Sequence, residues 1–435
     1  MYAAMIGRSA MRVAEKIMKG AGSGMTWIIV LVLLLIVVGV AKREKGRGDL
    51  TKLKSGLITG SQTPAVAAPQ PGGQDAIVLT RAQRTGSIMP EFLSATLLPG
   101  RGMNVLQITA FVPSKGEIPL LVSPSLAEAA NRMIGSDTDI NGGESLNMGG
   151  AIEAPWANQI SGAVFPGGTT ILANWQGRGL TLPVNGPGST GGQTAIGGFL
   201  LKRGADSVKS NVMPDGGIAE ATFHAGDFDG HWPSKTDIQM TVLLSGQQLE
   251  LTVVAKNVGS EPQPMGIGWY PRFAIPSGNR AQATLRLPVS LRAESSEHGS
   301  GLPTGKLLPV EGTPYDFSSS HTGTALKSLS LNDSFVHLKA GPLDNGAETE
   351  LTDPASGYGL RITALSPSIK ALHVSASEND AFVSINPQTN YDDPLGHEWS
   401  KDEDTGMVVL QPGESLQWRV RLELFLPAGH MAQGK

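Results

Sequence analysis

Residues 248–273 read QLELTVVAKNVGSEPQPMGIGWYPRF, a predicted strand, a turn and a second rigid segment. Apolar side chains alternate with more polar ones over residues 249–256, the period of two that is typical of a half-buried strand. An Asn-Val-Gly-Ser run and two prolines end this strand. The segment GIGWYPRF then carries an indole, a phenol and a guanidinium on small-residue backbone, which suits the edge of a binding cleft. The alternative is that Trp269, Tyr270 and Phe273 are core aromatics at a strand end.

The composition of the whole chain favours many short strands over long helices. The chain has 435 residues, of which 55 are Gly and 29 are Pro, and these residues interrupt helices. It has no cysteine, which excludes disulfides, a thiolate nucleophile and a cysteine-ligated metal. At this length the chain can bury a large core, either as one large β domain or as two smaller ones.

The charge is distributed unevenly along the chain. Residues 1–54 carry ten Lys or Arg and three Asp or Glu, a net charge of +7, which leaves −11 for the remainder because the total is −4. An acidic body behind a basic N-terminal segment argues against nucleic acid as a partner.

An uncharged run of 17 residues, MTWIIVLVLLLIVVGVA, occupies residues 25–41. At ~1.5 Å per residue it spans about 25 Å, close to the shortest helix that crosses a bilayer. Basic clusters flank it on both sides, which disfavours a buried core helix. A cleaved signal peptide is a further alternative, since residues 39–41 form a small-x-small site, but the basic run directly after them is a poor context for cleavage. The sequence therefore predicts an uncleaved single-pass anchor, and we expect the globular part to lie outside the cytoplasm.

Composition divides the chain into four segments. Residues 1–24 are a basic N-terminal segment and residues 25–41 are the predicted transmembrane helix. Residues 42–75 combine a basic stretch with a flexible linker rich in Pro, Ala, Gly and Gln. Residues 76–435 are the globular domain. Within that domain Ser125 and Glu128 form a capping box that predicts a helix over residues 125–134.

Six segments of the globular part, in order, resemble the aldose 1-epimerase (galactose mutarotase) family. They are PWANQI at 155–160, LTLPVN at 180–185 with IGGFL at 196–200, GIGWYPRF at 266–273, LPTG at 302–305 with GTPYDF at 312–317, VSINPQT at 383–389, and LQPGES at 410–415. The resemblance implies a large antiparallel β-sandwich with a sugar-binding cleft on one face. It covers roughly residues 90–426 and agrees with an all-β domain behind one N-terminal transmembrane helix.

The positions that carry the family's chemistry are all substituted. Mutarotation needs a base for the anomeric hydroxyl proton and an acid for the ring oxygen. By resemblance, the base position is Asn386, whose amide does not ionise, and the acid position is Tyr270. The position of a second His is Gly197, and that of a sugar-holding Arg is Gln159. The pattern indicates that the catalytic chemistry is reduced or lost.

Polar and aromatic groups at other family positions are compatible with sugar binding, although structural roles in turns and strands would also explain them. The predicted carbohydrate contacts are Asn158, Gln159, Trp269, Tyr270, Asp333, Asn386 and Gln388. Candidate replacements for the missing groups, for which polar surface loops and turns are the alternative, are Asp392, Asp393, His397, Glu398, His224 and His231. Their spacing matches no zinc signature, so neither a metal nor a cofactor is predicted.

Three functions follow from the sequence. The first is carbohydrate recognition by a membrane-anchored protein with little mutarotase activity. The second is an active sugar epimerase that uses Tyr270 with a relocated carboxylate such as Asp392 or Asp393. The third is a structural partner in the cell envelope. A carboxylate at the cleft centre would favour the epimerase, an open cleft lined by amides would favour binding, and a cleft filled by side chains would favour the structural role.

Overall fold

The computed structural model describes residues 68–134, 139–165, 167–185, 194–296, 301–318, 322–341 and 346–428. The predicted transmembrane helix over residues 25–41 lies outside these ranges, as do residues 1–24 and most of the predicted linker. Within the described ranges, no helix is both long enough and apolar enough to cross a membrane.

Short strands are the predominant secondary structure of the described chain, as the Gly and Pro content predicts. Its N-terminal half contains β1 (Ile77–Thr80), β2 (Glu91–Leu98), β3 (Asn104–Val112), β4 (Gly116–Pro119), β5 (Gly150–Glu153), β6 (Gln159–Ser161), β7 (Ala163–Val164), β8 (Thr170–Trp175), β9 (Arg178–Pro183), β10 (Thr194–Ile196), β11 (Ser207–Met213), β12 (Gly216–Gly226), β13 (Thr236–Ser245) and β14 (Gln248–Asn257). Its C-terminal half contains β15 (Gln263–Met265), β16 (Gly268–Ala274), β17 (Thr284–Arg286), β18 (Leu291–Ser295), β19 (Pro303–Pro309), β20 (Thr324–Ala325), β21 (Leu331–Val336), β22 (Ala347–Asp353), β23 (Tyr358–Ala364), β24 (Ala371–Ala376), β25 (Phe382–Gln388), β26 (Val408–Leu410) and β27 (Ser415–Phe425).

Helical structure is confined to one α-helix, α1 (Leu126–Arg132), and to short 3-10 turns in the described ranges. The Ser125 hydroxyl accepts from the backbone N–H of Glu128 at 3.2 Å, so the predicted N-cap is confirmed. The 3-10 turns are Pro71–Gly73, Pro99–Arg101, Ile140–Asn147, Leu200–Lys202 and Pro354–Ser356.

Two large antiparallel sheets account for most of the strands. In the described residues, one sheet has eleven strands in the order β1-β2-β3-β5-β16-β25-β24-β21-β18-β19, with β4 added beside β3. The other has nine strands in the order β11-β12-β13-β14-β27-β23-β22-β17-β20. The strand predicted at the start of residues 248–273 is β14, which pairs with β13 and β27 in the middle of the nine-stranded sheet. The predicted β-sandwich is therefore confirmed.

The core lies between the two large sheets and is continuous through them. Side chains of the nine-stranded sheet such as Leu251 and Trp418 belong to the same buried cluster as Trp269 and Ile385 of the eleven-stranded sheet. The indole N–H of Trp418 also donates to the Pro387 carbonyl at 2.9 Å, which joins the two sheets by a hydrogen bond. The predicted site segments of β16 and β25 are thus held on a rigid support.

The side chains of strand β16 alternate between the buried face and the outer face of the sheet. Trp269 and Phe273 are fully buried and pack edge to face, with ring centroids 5.6 Å apart. Tyr270 and Arg272 alternate with them, are partly exposed, and point to the opposite face. For Trp269 and Phe273, the alternative of core aromatics is confirmed. Tyr270 belongs to the outer face, where the candidate site lies.

The N-terminal edge of the described chain is packed against the sandwich. Pro71 is buried in its 3-10 turn, and Gly72 approaches the backbone of Gly100 so closely that a Cβ there would lie 2.2 Å from the Gly100 carbonyl oxygen. The side-chain amide of Gln74 donates to the Ala205 carbonyl at 2.9 Å. Residues 71–74, at the end of the predicted linker, are thus attached to the domain.

Candidate functional site

Four neighbouring strands bring the candidate residues together on the outer face of the eleven-stranded sheet. Gly268 of β16 lies opposite Glu153 of β5 on one side and opposite Gln388 of β25 on the other. By the same register, Tyr270 of β16 lies opposite Asn386 of β25. Asn386 in turn lies opposite His373 of β24. Residues directly opposite each other share a face of the sheet, so these side chains form one patch.

The side chains of Glu153 and Asn386 form the centre of this patch. The amide nitrogen of Asn386 donates to Oε2 of Glu153 at 2.7 Å, and its amide oxygen accepts from the backbone N–H of Trp269 at 3.2 Å. The other carboxylate oxygen of Glu153 accepts from the backbone N–H of Asn158 at 3.2 Å. Both side chains are 0% exposed. Each polar group therefore has a protein partner, as buried polar groups require.

Two glycines make room for this contact. A Cβ on Gly268, whose strand runs between the two side chains, would lie 2.8 Å from the Glu153 carboxylate and 3.1 Å from the Asn386 amide oxygen. A Cβ on Gly197 would lie 3.2 Å from the other carboxylate oxygen of Glu153 and 3.2 Å from a methyl group of Leu146. The Glu153 carboxylate thus sits between Asn386 and Gly197, in space that larger side chains would occupy.

Burial changes the proton affinity of Glu153. Removal from water raises its pKa to about 7, although the hydrogen bonds from Asn386 and Asn158 oppose this by favouring the charged form. A carboxyl group with that pKa exchanges its proton near neutral pH. Sequence reasoning missed Glu153, although a charged residue inside the otherwise apolar run GAIEA (150–154) is the signal that pointed to it.

A second buried acid lies beside the first. Asp392 accepts from the side-chain amide of Asn158 at 2.6 Å and from that of Gln388 at 3.3 Å, and its other oxygen lies 3.2 Å from Nδ1 of His373. The Ser334 hydroxyl lies 3.1 Å from the same Nδ1. A Ser-His-Asp relay needs the serine and the acid on different ring nitrogens, so this arrangement is not a nucleophilic triad.

His373 and Asp392 each shift the pKa of the other in the direction that favours its charged form. Burial alone lowers the pKa of His373, but the charge and hydrogen bond of Asp392 outweigh it and raise that pKa. Burial alone raises the pKa of Asp392, but His373 reverses this and lowers it. The pair is therefore an internal ion pair in a buried polar network formed by Glu153, Asn386, Asn158, Asp392, His373, Ser334 and Gln388.

An open cleft of about 360 Å³ lies next to this network on the same face. Its polar lining includes Tyr270, Arg272, Asn332, Ser375, Asp380 and Ser384. The Tyr270 hydroxyl lies 3.2 Å from the Ser375 hydroxyl, and burial, with the nearby Glu153 charge, raises the pKa of this phenol above its ordinary value. Leu146 both lines the cleft and touches the space beside Gly197.

The comparison with protein families matches the aldose 1-epimerase model to residues 125–423, more than half of the chain. The chain belongs to the aldose 1-epimerase family. Comparison with curated proteins finds no match.

Solved structures related to the aldose 1-epimerase family share the fold. A galactose mutarotase-like protein from Clostridium acetobutylicum is 16% identical, with a TM-score of 0.62 over 80% of this chain and 98% of that chain. A GalM/aldose epimerase homologue from C. elegans is 18% identical, with a TM-score of 0.57 over 77% and 95%. A galactose 1-epimerase from Lactobacillus acidophilus is 15% identical, with a TM-score of 0.56 over 81% and 99%. At these identities the likeness concerns the fold alone.

The positions that resemble the family's catalytic residues lie in two different environments. Asn386, at the base position, is in the buried polar network, and Gly197 lies beside it. Tyr270, at the acid position, lines the cleft. Gln159, at the position of the sugar-holding Arg, is nearly buried, and its amide nitrogen donates to the Gly301 carbonyl at 2.9 Å.

The other predicted carbohydrate contacts are not at the cleft surface. Trp269 is in the core and donates its indole N–H to the Gly150 carbonyl at 3.1 Å, so it offers no ring face to a sugar. Asp333 accepts from Arg292 at 2.6 Å and lies opposite Val374, which is in the core. Asn158 and Gln388 belong to the buried polar network. Of the seven predicted contacts, Tyr270 is the one in the described lining of the cleft.

The candidate replacement residues lie in different parts of the structure. Asp392 is in the buried polar network, whereas Asp393 accepts from the Ser161 backbone N–H at 2.9 Å, and burial raises its pKa. Burial and the neighbouring Asp393 charge raise the pKa of Glu398 to about 7. His224 is exposed beside Asp237, and His231 lines a different cavity. His397 is not in the described lining of the cleft. No metal-binding cluster of three or more side chains is found in the described ranges.

Proposed function

We propose that this chain is a carbohydrate-binding member of the aldose 1-epimerase family with reduced mutarotase activity, attached to a membrane by its N-terminal segment. One observation carries the proposal. Asn386, at the family's base position, is fully buried, and both ends of its amide are engaged by Glu153 and the Trp269 backbone.

The chemistry of ring opening explains why activity is reduced. The base must take a proton from the anomeric hydroxyl, and an amide does not ionise at working pH. Tyr270 can donate a hydrogen bond to a sugar oxygen, but its raised pKa makes the phenol a weak acid. The carboxylates of Glu153 and Asp392 are directed into the buried polar network, away from the cleft lining.

The cleft suits recognition of a neutral sugar. Its volume of about 360 Å³ lies within the usual range of small-molecule pockets, roughly 300–1,000 Å³. The hydroxyls of Tyr270 and Ser375 can both donate and accept, as sugar hydroxyls require. Arg272 is held in place by a hydrogen bond to the Asn147 carbonyl and by stacking over the Phe382 ring, 4.3 Å from its centroid. These groups form a mixed polar and aromatic surface.

Titration of the purified full-length protein with galactose and glucose, followed by calorimetry or NMR, tests the binding proposal. Asn332→Ala, at the exposed edge of the cleft, should weaken binding several-fold with no loss of stability. Asn211→Ala, in the exposed edge strand β11, is the matched control and should bind like the wild type. Absence of binding by any hexose at millimolar concentration would favour the structural role in the cell envelope.

A second candidate is an active epimerase in which Glu153 replaces the missing base. The observation that favours it is the position of the carboxylate, 2.7 Å from the Asn386 amide and 3.2 Å from a Cβ on Gly197. A pKa of about 7 suits a general base. Glu153 is fully buried, so a sugar would reach it only after the residues that cover it move. Loss of a measurable mutarotase rate in Glu153→Gln would establish this candidate.

The membrane attachment rests on the composition of residues 1–54. They contain the uncharged run of 17 residues and a net charge of +7, which fits a single-pass anchor with basic flanks. We further propose that the domain lies outside the cytoplasm. Labelling of an introduced thiol with a membrane-impermeant reagent tests both statements.

A further inference from the structure

A second cavity lies away from the cleft, against the turn that follows Gly197 and Gly198. Its volume is about 630 Å³, and it shares no described lining residue with the cleft. The turn Leu200–Lys202 forms one side, the end of strand β9 forms another, and the turn over residues 227–231 forms a third. We call it the basic cavity and define it by Thr170, Phe199, Lys202, Arg203, Phe228 and His231.

Aromatic rings form one wall of the basic cavity. The ring of Phe199 lies 5.2 Å from that of Phe228 and stacks on the imidazole of His231, with centroids 5.8 Å apart. Nδ1 of His231 lies 2.9 Å from the Thr181 carbonyl oxygen, which can only accept, so Nδ1 carries the proton. In the neutral ring, Nε2 is then left as an acceptor. This wall offers apolar surface beside a fixed polar atom, the combination that binds sugar rings.

Basic side chains form the other wall. In the described part of the chain, neither Lys202 nor Arg203 forms an ion pair with a carboxylate. Lys202 makes one long contact of 3.4 Å with the side-chain oxygen of Asn141. Arg203 donates to the His224 carbonyl at 2.6 Å, which leaves part of its guanidinium for a ligand. Asp229 is the one acidic residue in the described lining.

These features together specify the ligand. Two cationic side chains line this cavity without a carboxylate partner among the described residues, and an oxyanion is the ligand group that an ammonium and a guanidinium bind best, by charge-assisted hydrogen bonds. We propose that the basic cavity binds a monosaccharide bearing an oxyanion, a carboxylate or a phosphate, with the oxyanion at Lys202 and Arg203 and the sugar ring along Phe199 and His231. This site is separate from the cleft and does not depend on the function proposed above.

The test is a titration of the full-length protein with galacturonate, galactose 6-phosphate, galactose and inorganic phosphate. We expect one of the two anionic sugars to bind at least tenfold more tightly than galactose through this site. Tighter binding of galacturonate identifies the oxyanion as a carboxylate, and tighter binding of galactose 6-phosphate identifies it as a phosphate. Inorganic phosphate should bind more weakly than the sugar that carries it, because it lacks the ring.

Variants locate the binding. Lys202→Gln and Arg203→Gln should each weaken binding of the anionic sugar about tenfold, whereas Lys209→Gln, on the exposed strand β11, should leave it unchanged. Lys202 is exposed, so its replacement tests the site without loss of folding. Equal affinity for galactose and both anionic sugars, an equal loss in Lys209→Gln, or binding of free phosphate as tight as that of the sugar phosphate would overturn the proposal.

Discussion

The Glu153 carboxylate accepts a hydrogen bond of 2.7 Å from the Asn386 side chain across the backbone of Gly268. Asn386 is at the position where the aldose 1-epimerase family, by resemblance, carries its catalytic carboxylate. The chain therefore has a carboxylate within hydrogen-bonding distance of that position, but on strand β5, two strands away from β25, and directed into the protein. Because Glu153 already supplies a carboxylate there, the effect of a substitution at Asn386 depends on whether it adds a second charge.

Restoring the family's acid at position 386 should fail while Glu153 is present. Asn386→Glu would bring two carboxylates together in a site that excludes water, so we expect it to destabilise the fold by about 1–3 kcal/mol. Adding Glu153→Gln to the same chain should recover most of this loss, because the introduced carboxylate then meets an amide. Chemical denaturation measures both free energies.

Asn386→Gln is the matched control for Asn386→Glu, since it lengthens the side chain without adding charge. If Asn386→Glu were no less stable than Asn386→Gln, the contact between Glu153 and position 386 would not be as close as the structure has it.

Glu153 should make stability depend on pH. Its pKa is raised in the folded state, so its proton is bound more tightly there than in the unfolded chain. Its contribution is fully present below the unfolded pKa of ~4.5 and is lost as pH rises through about 7. Between pH 5 and 8 the unfolding free energy of the wild type should fall, with Glu153 contributing at most about 3 kcal/mol.

Thermal or denaturant unfolding across this pH range checks the assignment. Glu153→Gln should flatten the curve. The raised pKa values of Glu398 and His373 act in the same direction, so part of the slope should persist. Glu398→Gln serves as the comparison, since it removes a second group with a pKa of about 7 outside the buried polar network. An unchanged slope in Glu153→Gln would contradict the raised pKa.

Trp269 should behave as a core residue and not as a sugar-binding residue. Trp269→Phe removes the hydrogen bond to the Gly150 carbonyl and leaves a small cavity, so we expect a loss of about 1–3 kcal/mol in unfolding free energy. Hexose affinity should stay within about twofold of the wild type, a difference of ~0.4 kcal/mol. A large loss of affinity with unchanged stability would instead assign the indole to the cleft.

The absence of cysteine allows the membrane orientation to be read from one introduced thiol. Val212 is 93% exposed on strand β11, so Val212→Cys should be tolerated and accessible. With the domain outside the cytoplasm, a membrane-impermeant maleimide should label this variant in intact cells, and the label should sediment with membranes. Labelling only after lysis would place the domain inside, and recovery of the protein in the soluble fraction would contradict the anchor.

Local patterns predicted the architecture because they depend on neighbours in sequence. The alternation in residues 249–256, the capping box at Ser125 and the ordered family segments are each visible within a few residues. For Trp269 and Tyr270 the sequence left the same two alternatives, cleft or core, and it could not say which of the two faced the core. That choice depends on which face of the eleven-stranded sheet packs against the other sheet.

The candidate site was harder to predict because its contacts join distant segments. Glu153 and Asn386 are separated by 233 positions in sequence, and their contact depends on the register of three strands and on the missing side chain of Gly268. Asp333 matched a family position by type, yet its contact with Arg292 depends on the pairing of β18 with β21. The substitutions at the family's catalytic positions were visible in the sequence, whereas the proximity of the Glu153 carboxylate to position 386 was not.

The most direct test of reduced activity is the rate at which fresh α-galactose converts to the β anomer, followed by NMR with purified full-length protein. We predict that the wild type and Glu153→Gln convert galactose at the same slow rate, close to that of buffer. A wild-type rate far above buffer that falls by about 10²–10⁴-fold in Glu153→Gln, the range expected for loss of a general base, would contradict reduced activity and identify Glu153 as the base of an active epimerase.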